Sequence, residues 1–399
     1  MIQHIYNKEA LDRINPINLQ IIIVWEVYMK IVALFNNKGG VGKSTLGFHL
    51  GCALGEIGKK VLLVDLDPQC NLTISAMLED KLEEIWTNED DFIEDFGAAT
   101  KIPGRLDEVI KSPRSIHFLL KPVEDGLNEF EEYPPPIDIS ENVALIPGRL
   151  SLHKYENKIA ERWNGVYQGD ILSIRTITNI RYICEKYFEL YRYDYVIVDT
   201  SPSLGILNKT IISTVDGFFI PALPDMFSLY GIRNIGNSLE QWQKEFDTIY
   251  RLISDEKRSR FPSKFVQFIG FTIYNARRYD SGGNEYKLAN AHFRYANTIP
   301  KVISDFIREK NIADVANIML PIGGMSVMHS HNTFPSVSQA LKCPMWKVPE
   351  VYREMRRNNR DYLEENMIEV NNGSFGQYEQ TKDKYISFSN DFIERVEVL

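Results

Sequence analysis

Short apolar runs recur along the chain, and stretches with helical spacing, among them 46–56, 152–167 and 171–191, lie between them. Continuous apolar runs predict strands that are buried on both faces of a sheet. Such runs occupy residues 31–35, 60–65, 142–147, 193–199, 217–222 and 265–274, and we predict a last strand at 316–320. Strands that alternate with helices imply βαβ units. The pattern therefore predicts an α/β fold with a mostly parallel, doubly wound central sheet flanked by helices.

A glycine-rich stretch at residues 37–45 lies between the first apolar run and the first helical segment. Strand, glycine loop and helix in this order are the context of a P-loop, in which backbone N–H groups and the helix N-terminus hold phosphates. Lys43 would reach the outer phosphates, and Ser44 would give a hydroxyl to Mg²⁺. The predicted nucleotide-binding residues of this P-loop NTPase are Lys38, Gly39, Gly40, Val41, Gly42, Lys43, Ser44 and Thr45.

This loop departs from the usual G-x-x-x-x-G-K-[ST] pattern at two positions. Asn37 stands where the first glycine is expected, and a second lysine, Lys38, precedes the glycine pair. The chain therefore has one lysine more and one glycine fewer than an ordinary P-loop.

Two apolar runs end in aspartates that are candidates for the Mg²⁺ shell. The run at 60–65 ends in Asp65 and is followed by Asp67, and the run at 193–199 ends in Asp199. Ligands in open α/β sheets bind at the carboxyl ends of the strands, so we expect these side chains beside the glycine loop. A core strand that merely ends in aspartate is common, and a capping or structural role is the alternative for Asp65.

Composition narrows the classes of function. The chain has 399 residues, a formal charge of -9 and four widely separated cysteines, so neither a coat of positive charge nor a disulfide or zinc framework is indicated. No run reaches the roughly 18 apolar residues that a membrane span needs. We therefore expect a cytoplasmic protein.

The chain divides into three parts in this interpretation. Residues 1–28 form an N-terminal extension, in which either Met29 is the true start or residues 19–27 pack as an additional element. Residues 29–370 form the predicted P-loop NTPase domain, with an acidic insertion at about 79–141, and residues 371–399 form a short peripheral C-terminal tail. Between 79 and 95 there are nine acidic residues and one lysine, which favours a solvated and partly mobile insertion.

Three motifs in this order, at 38–45, 65–73 and 199–205, resemble those of ParA-type partition ATPases, members of the ParA/MinD family with a deviant Walker A loop. Weaker similarity at 142–148 and 224–231 extends the resemblance over most of residues 29 to about 345. The resemblance implies catalytic roles for Lys38, Lys43, Asp67 and Asp199. Lys38 would cross to the phosphates bound by a second subunit, and Asp67 would orient the attacking water. Ser44, Asp65 and Asp199 would lie at or near the Mg²⁺ shell.

The resemblance also suggests two contacts with adenine. Asn275 follows the strand at 265–274, where related ATPases place an asparagine that binds the base, although asparagine is also an ordinary turn residue. Pro321 would flank the base, but Ile322 follows it where many relatives carry arginine.

The implied function is a slow, Mg²⁺-dependent ATPase that forms an ATP-sandwich homodimer and binds non-specific DNA at the nucleoid. With a ParB-like centromere-binding protein it would partition plasmid or chromosomal DNA. The alternative is an ATP-dependent switch or scaffold that positions a protein cargo, as MinD-like relatives do. Residues 386–399 do not form a basic amphipathic helix, which argues against a membrane partner.

Local positive charge would carry the DNA contacts. Residues 251–310 contain twelve basic and six acidic residues, and a helical face is predicted to carry Arg353, Arg356, Arg357 and Arg360. Such patches suit salt-sensitive contacts with phosphates. The alternative is that they are ordinary solvated faces.

Overall fold

The computed structural model describes residues 29–399. The two interpretations of the N-terminal extension, a start at Met29 or an additional element at 19–27, concern residues outside this range. Within it, no helix is both long enough and apolar enough to cross a membrane.

One sheet of seven strands organises the described part of the chain. The strands are β1 (Lys30–Leu34), β2 (Val61–Leu66), β3 (Ile137–Ser140), β4 (Val143–Ile146), β5 (Tyr195–Thr200), β6 (Gly217–Ala222) and β7 (Gln267–Ile273). Their order in the sheet is β3-β4-β2-β5-β1-β6-β7, and every pair is parallel except β3 with β4. The chain builds the sheet outward on both sides of β1, which confirms the predicted doubly wound fold.

Helices cover both faces of the sheet. In chain order they are α1 (Lys43–Glu56), α2 (Asn71–Ala76), α3 (Glu79–Glu94), α4 (Phe96–Ala99), α5 (Arg105–Val109), α6 (Ile116–Glu124), α7 (His153–Tyr167), α8 (Ile171–Tyr191), α9 (Ile206–Thr214), α10 (Met226–Leu252), α11 (Asp255–Arg258), α12 (Asn290–Phe306), α13 (Phe334–Ala340), α14 (Val348–Asn358), α15 (Arg360–Glu365), α16 (Phe375–Glu379) and α17 (Thr381–Val396). Side chains of β1 alternate between two cores, with Ile31 and Ala33 in one and Val32 and Leu34 in the other. Burial on both faces explains why the central strands are continuous apolar runs.

The acidic segment at 79–141 is packed, and our prediction of a solvated, partly mobile insertion is wrong. Phe92, Phe96 and Phe118 are buried in the core on one face of the sheet, with ring centroids 5.4 to 5.8 Å apart. The buried Glu89 accepts hydrogen bonds from the backbone N–H and the hydroxyl of Ser115, both at 2.6 Å. High negative charge on the outer faces of α3 concealed an amphipathic pattern, because net charge does not report which side of a helix is apolar.

The last predicted strand, at 316–320, is also wrong, because residues Val315–Ile318 form a 3₁₀-helix. The chain does pass along the edge of β7, where the backbone N–H groups of Ala313 and Ile322 donate to the carbonyls of Phe268 and Phe271. Between these two contacts it bulges outward. Arg395 of α17 donates to the carbonyls of Asn317 and Leu320, so a tertiary contact replaces strand pairing there.

The end of the chain is not the peripheral tail that we expected for residues 371–399. Helix α17 packs against α1 and buries four large side chains completely, namely Tyr385, Phe388, Phe392 and Val396. These positions recur every three or four residues, which is the spacing of one helical face. The mixed charge of the remaining positions concealed this face in the sequence. The proposed domain boundaries themselves stay predictions.

Candidate nucleotide site

Three strand ends converge on the glycine loop. In the paired strands β2 and β5, Asp65 lies opposite Asp199, and in β1 and β5, Leu34 lies opposite Asp199. The loop at 37–45 follows β1 directly, so both aspartates end beside it. The sheet order thus places the predicted acidic residues and the predicted phosphate loop together, as expected for parallel strands.

The loop has the backbone shape that its glycines permit. Gly40 and Gly42 have φ values of 71° and 80°, a region that other residues avoid. A Cβ atom on Gly42 would lie 2.5 Å from the ring of Tyr274. Helix α1 begins immediately afterwards at Lys43, and no acidic side chain occupies its first turn. The unpaired N–H groups of this helix end are therefore available to an anion.

A cavity of about 430 Å³ opens over the loop. Its walls comprise Gly39, Gly40, Val41, Gly42, Lys43, Ser44, Thr45, Phe48, His49, Asp67, Gln69, Asn71, Ser75, Pro202, Pro335, Ser336, Ser338 and Gln339. All but the first of the eight predicted loop residues line it, together with Asp67.

Lys43 is buried at the floor of this cavity. Its Nζ donates to the carbonyl of Asn36 at 3.1 Å. Burial lowers the pKa of Lys43, while the negative charges of Asp199 and Asp67 act in the opposite direction. The ammonium group is thus close to both carboxylates. It also lies in the cavity wall, where it could contact a bound phosphate.

Asp199 is the unsatisfied carboxylate of the site. It is fully buried, and neither of its oxygens has a hydrogen-bond partner within the described residues. Burial, and next the charge of Asp65, raise the pKa of Asp199 to about 8, although the nearby Ser44 hydroxyl and Lys43 oppose the rise. A buried carboxylate without donors beside a hydroxyl fits a Mg²⁺ shell, since this ion prefers oxygen ligands.

Asp65 has the opposite environment. Its Oδ1 accepts from the backbone N–H of Asp67 at 3.1 Å, and its Oδ2 accepts from the N–H and the hydroxyl of Thr73 at 2.8 and 2.6 Å. Burial raises its pKa to about 6 in spite of these bonds. Because both oxygens are engaged by the chain, the geometry favours the structural alternative for Asp65 over a role as metal ligand.

Asp67 and Lys38 differ in their relation to the cavity. Asp67 is 4% exposed, lines the cavity and accepts from the N–H of Gln69 at 3.0 Å. Lys38 is not among the residues that line the described cavity, and its Nζ lies 2.5 Å from Asp225 Oδ2. Their implied roles in hydrolysis and across a dimer stay predictions.

The two candidate adenine contacts also lie outside the walls of this cavity. Asn275 is exposed and has a φ of 60°, and Pro321 is buried beside β7. Residues that sequence reasoning missed form one wall instead, because α13 contributes Pro335, Ser336 and Gln339. The roles of Asn275 and Pro321 stay predictions.

His49 connects that wall to the loop. Its Nδ1 contacts the carbonyl of Thr45 at 2.7 Å, and its Nε2 accepts from the N–H of Met345 at 3.1 Å. Burial lowers its pKa to about 4, so the ring is neutral and the bonding pattern assigns the proton to Nδ1. Its partner Ser338 is 289 positions away in the chain, and no local sequence signal joins them.

Part of the predicted positive charge is neutralised locally. Within 251–310, Arg258, Arg260, Arg278 and Arg308 form ion pairs with acidic side chains. The four arginines at 353–360 are exposed but do not share one helix, because α14 ends at Asn358 and Arg360 begins α15. The prediction of one continuous arginine face is therefore wrong, while a DNA contact by these side chains stays a prediction.

No group of three or more His, Cys, Asp or Glu side chains in residues 29–399 is arranged to hold a metal ion by itself. Mg²⁺ in nucleotide sites takes few protein ligands and completes its shell with phosphate oxygens and water. The Ser44 hydroxyl and Asp199 fit that limited protein share.

Comparison with known proteins agrees with this geometry. The family model described as an AAA domain, AAA_31, matches residues 29–251. An uncharacterized protein of Mycobacterium tuberculosis is 30% identical over 212 residues, 53% of this chain and 52% of that protein. The sporulation initiation inhibitor protein Soj of Bacillus subtilis is 27% identical over 224 residues, 55% of this chain and 68% of Soj. The chain thus spans about half the length of the first of these relatives.

Among solved structures, that of pNOB8 ParA covers 92% of this chain and 99% of its own, with a TM-score of 0.54 and 19% identity. At this identity the similarity shows the fold.

Proposed function

The chain belongs to the AAA_31 family of AAA domains and is a ParA-type P-loop ATPase, and on this premise we propose that it works as a slow, ATP-driven dimerisation switch on DNA. The monomer binds ATP with Mg²⁺ in the 430 Å³ cavity. Two nucleotide-filled copies form a homodimer that binds non-specific DNA, and hydrolysis releases it. A ParB-like centromere-binding protein stimulates hydrolysis, and the assembly partitions plasmid or chromosomal DNA in the cytoplasm, at the nucleoid.

The observation that carries this proposal is that Lys43 and Asp67 line one cavity and that the carboxylate of Asp199 is close enough to act on the Lys43 ammonium group. Backbone N–H groups of residues 39–45 would cradle the phosphates, and Lys43 would neutralise their outer charge. Ser44 and Asp199 would hold Mg²⁺. Bound there, Mg²⁺ supplies further neutralisation of phosphate charge in the transition state. Asp67, which lines the same cavity, would orient the attacking water and receive its proton.

The surface beside the loop supports dimerisation. Met226, Phe227 and Tyr230, at the start of α10, are 46%, 65% and 56% exposed. A group of large, exposed apolar side chains often indicates a surface that contacts another protein. Lys38 contacts this patch through the ring of Phe227. A second copy seated there would meet the lysine and the cavity together.

The proposal is tested with one set of preparations. Size and DNA retention are measured for the wild type with ADP and with ATP, and for Asp67→Ala with ATP, always with Mg²⁺ and at low salt. We expect ATP alone to produce dimers that retain DNA, and Asp67→Ala to keep both properties while hydrolysis falls about 100-fold. Asp247→Ala, which changes an exposed carboxylate on α10, is the control that should resemble the wild type.

An Asp67→Ala protein that binds ATP and stays monomeric would refute the dimer. Retention of DNA that is absent, or equal with ADP and ATP, would instead favour the second candidate, an ATP-dependent scaffold for a protein cargo. Four arginines in the 251–310 region are paired with acidic side chains, which leaves less positive charge for DNA and favours this second candidate.

A further inference from the structure

The side chain of Lys38 is held by its own chain. Its Nζ lies 2.5 Å from Asp225 Oδ2 and 5.8 Å from the centroid of the Phe227 ring. The backbone N–H of Lys38 donates to Asn36 Oδ1 at 2.9 Å, and Asn36 Nδ2 donates to the carbonyl of Pro221 at 2.7 Å. The backbone of Lys38 is therefore linked through Asn36 to β6, and its side chain is held at the start of α10.

Asp225 both caps α10 and contacts Lys38. Its Oδ1 accepts from the backbone N–H of Ser228 at 2.9 Å and thereby caps α10, while its Oδ2 receives Lys38. Burial acts to raise the pKa of Asp225, but the hydrogen bonds from Lys38 and Ser228 and the charge of Lys38 lower it below its usual range. The carboxyl group is therefore ionised at neutral pH, and the contact with Lys38 is ionic.

We propose that Asp225 is a positioning residue that holds Lys38 beside its own glycine loop until a second ATP-filled copy of the chain presents its phosphates. This inference rests on the proposed function, because it concerns how the dimer forms. In this proposal the Lys38 ammonium group exchanges Asp225 for phosphate oxygens of the other subunit when it crosses the interface. Release from Asp225 is thus a step of dimerisation.

The exposure of the pair suits a releasable contact. The Lys38 and Asp225 side chains are 22% and 32% exposed, so water screens their attraction and the pair is weak compared with a buried one. A triphosphate carries more negative charge than one carboxylate and can replace it. Asp225 therefore opposes dimerisation without preventing it, and it leaves ATP binding by the monomer unaffected because Lys38 does not line the described cavity.

Asp225→Asn tests this assignment. Asparagine caps helices as well as aspartate does, so α10 should keep its cap while the ion pair is lost. Asp170→Asn is the matched control, because Asp170 caps α8 through the N–H of Ser173 at 2.8 Å and forms no ion pair within residues 29–399. Dimerisation is measured by sedimentation with ATP and Mg²⁺ over a range of protein concentrations. Lys38 itself is followed by competitive acetylation of the nucleotide-free monomer and mass spectrometry.

We expect Asp225→Asn to tighten the ATP-dependent dimer roughly two- to fivefold, as loss of a partly exposed ion pair would allow. Acetylation of Lys38 should become faster, since an amine that is no longer held against a carboxylate is more accessible to the reagent. ATP affinity of the monomer and all properties of Asp170→Asn should match the wild type. Equal or weaker dimerisation of Asp225→Asn, or unchanged acetylation of Lys38, overturns the assignment.

The two proposals fail in different ways. If the wild type forms no dimer with ATP, the proposed function is wrong and the role of Asp225 falls with it. If the wild type dimerises and Asp225→Asn dimerises no better, only the role of Asp225 is wrong.

Discussion

The carboxyl ends of β2 and β5 carry an aspartate at the same register, yet the two carboxylates have opposite surroundings. Asp65 and Asp199 face each other in adjacent parallel strands and are both fully buried. Three donors of the chain engage Asp65, whereas neither oxygen of Asp199 has a partner within the described residues. A carboxylate surrounded by donors holds a loop in place, and one without donors is available to a ligand. We therefore expect Asp65 to stabilise the fold, and the proposed metal ligand is Asp199.

The substitution with the largest expected effect tests the structural role of Asp65. Asp65→Ala leaves the N–H groups of Asp67 and Thr73 and the Thr73 hydroxyl without their acceptor, which should cost about 3 kcal/mol or more of unfolding free energy. Urea denaturation without nucleotide measures the change, with the exposed Asp247→Ala as control. A loss below about 1 kcal/mol would contradict the structural role.

The proposed role of Asp199 in binding Mg²⁺ predicts that its substitution lowers activity without lowering stability. Asp199→Asn should lower ATP hydrolysis about 100-fold, equivalent to about 2.7 kcal/mol on the barrier, because the charge that holds Mg²⁺ is removed. The nucleotide-free Asp199→Asn protein in chelator should be as stable as the wild type or more stable at pH 7.5, because folding no longer has to protonate or bury a carboxylate at this position.

The pH dependence follows from the raised pKa of Asp199, about 8. A carboxyl group with a raised folded pKa contributes stability at low pH and loses it as the pH rises through that value. The gain in unfolding free energy from Asp199→Asn should therefore be smaller at pH 5.5 than at pH 7.5. Urea denaturation at both pH values measures it, and a gain that grows toward pH 5.5 would contradict the assignment.

The substitution with the smallest expected effect removes one of the hydrogen-bond donors to Asp65. Thr73→Val removes one hydrogen bond to Asp65 and leaves the N–H of Gly148 without its acceptor, while the charge of Asp65 stays. We expect a loss of about 1–2 kcal/mol in unfolding free energy and little change in the rate of hydrolysis at saturating ATP. Thr210→Val is the control, because within residues 29–399 the Thr210 hydroxyl bonds only to the Ile206 carbonyl of its own helix. Equal effects of the two substitutions would mean that Thr73 does not stabilise the site.

Local patterns sufficed for the central sheet and for the phosphate loop. The predicted runs from 31–35 to 265–274 correspond to β1, β2, β4, β5, β6 and β7, because burial on both faces makes a strand apolar throughout. Strand β3 was missed, since Ile137 and Ile139 alternate with exposed residues at the edge of the sheet. Mixed charge concealed α17 and the helices of the acidic segment for a related reason. Composition averages over the two faces of an amphipathic element and hides the apolar one.

By itself the sequence determined that a phosphate loop with an additional lysine follows a buried strand and that aspartates end two others, because these features depend on neighbours in the chain. Only the tertiary structure decided which aspartate is satisfied, which residues close the cavity and what holds Lys38. Helix α13 and Asp225 reach those positions from distant parts of the chain, and Thr73 reaches Asp65 because α2 folds back beside the end of β2. Hydrogen bonds and ion pairs act over a few ångströms of space, and separation along the chain does not report that distance.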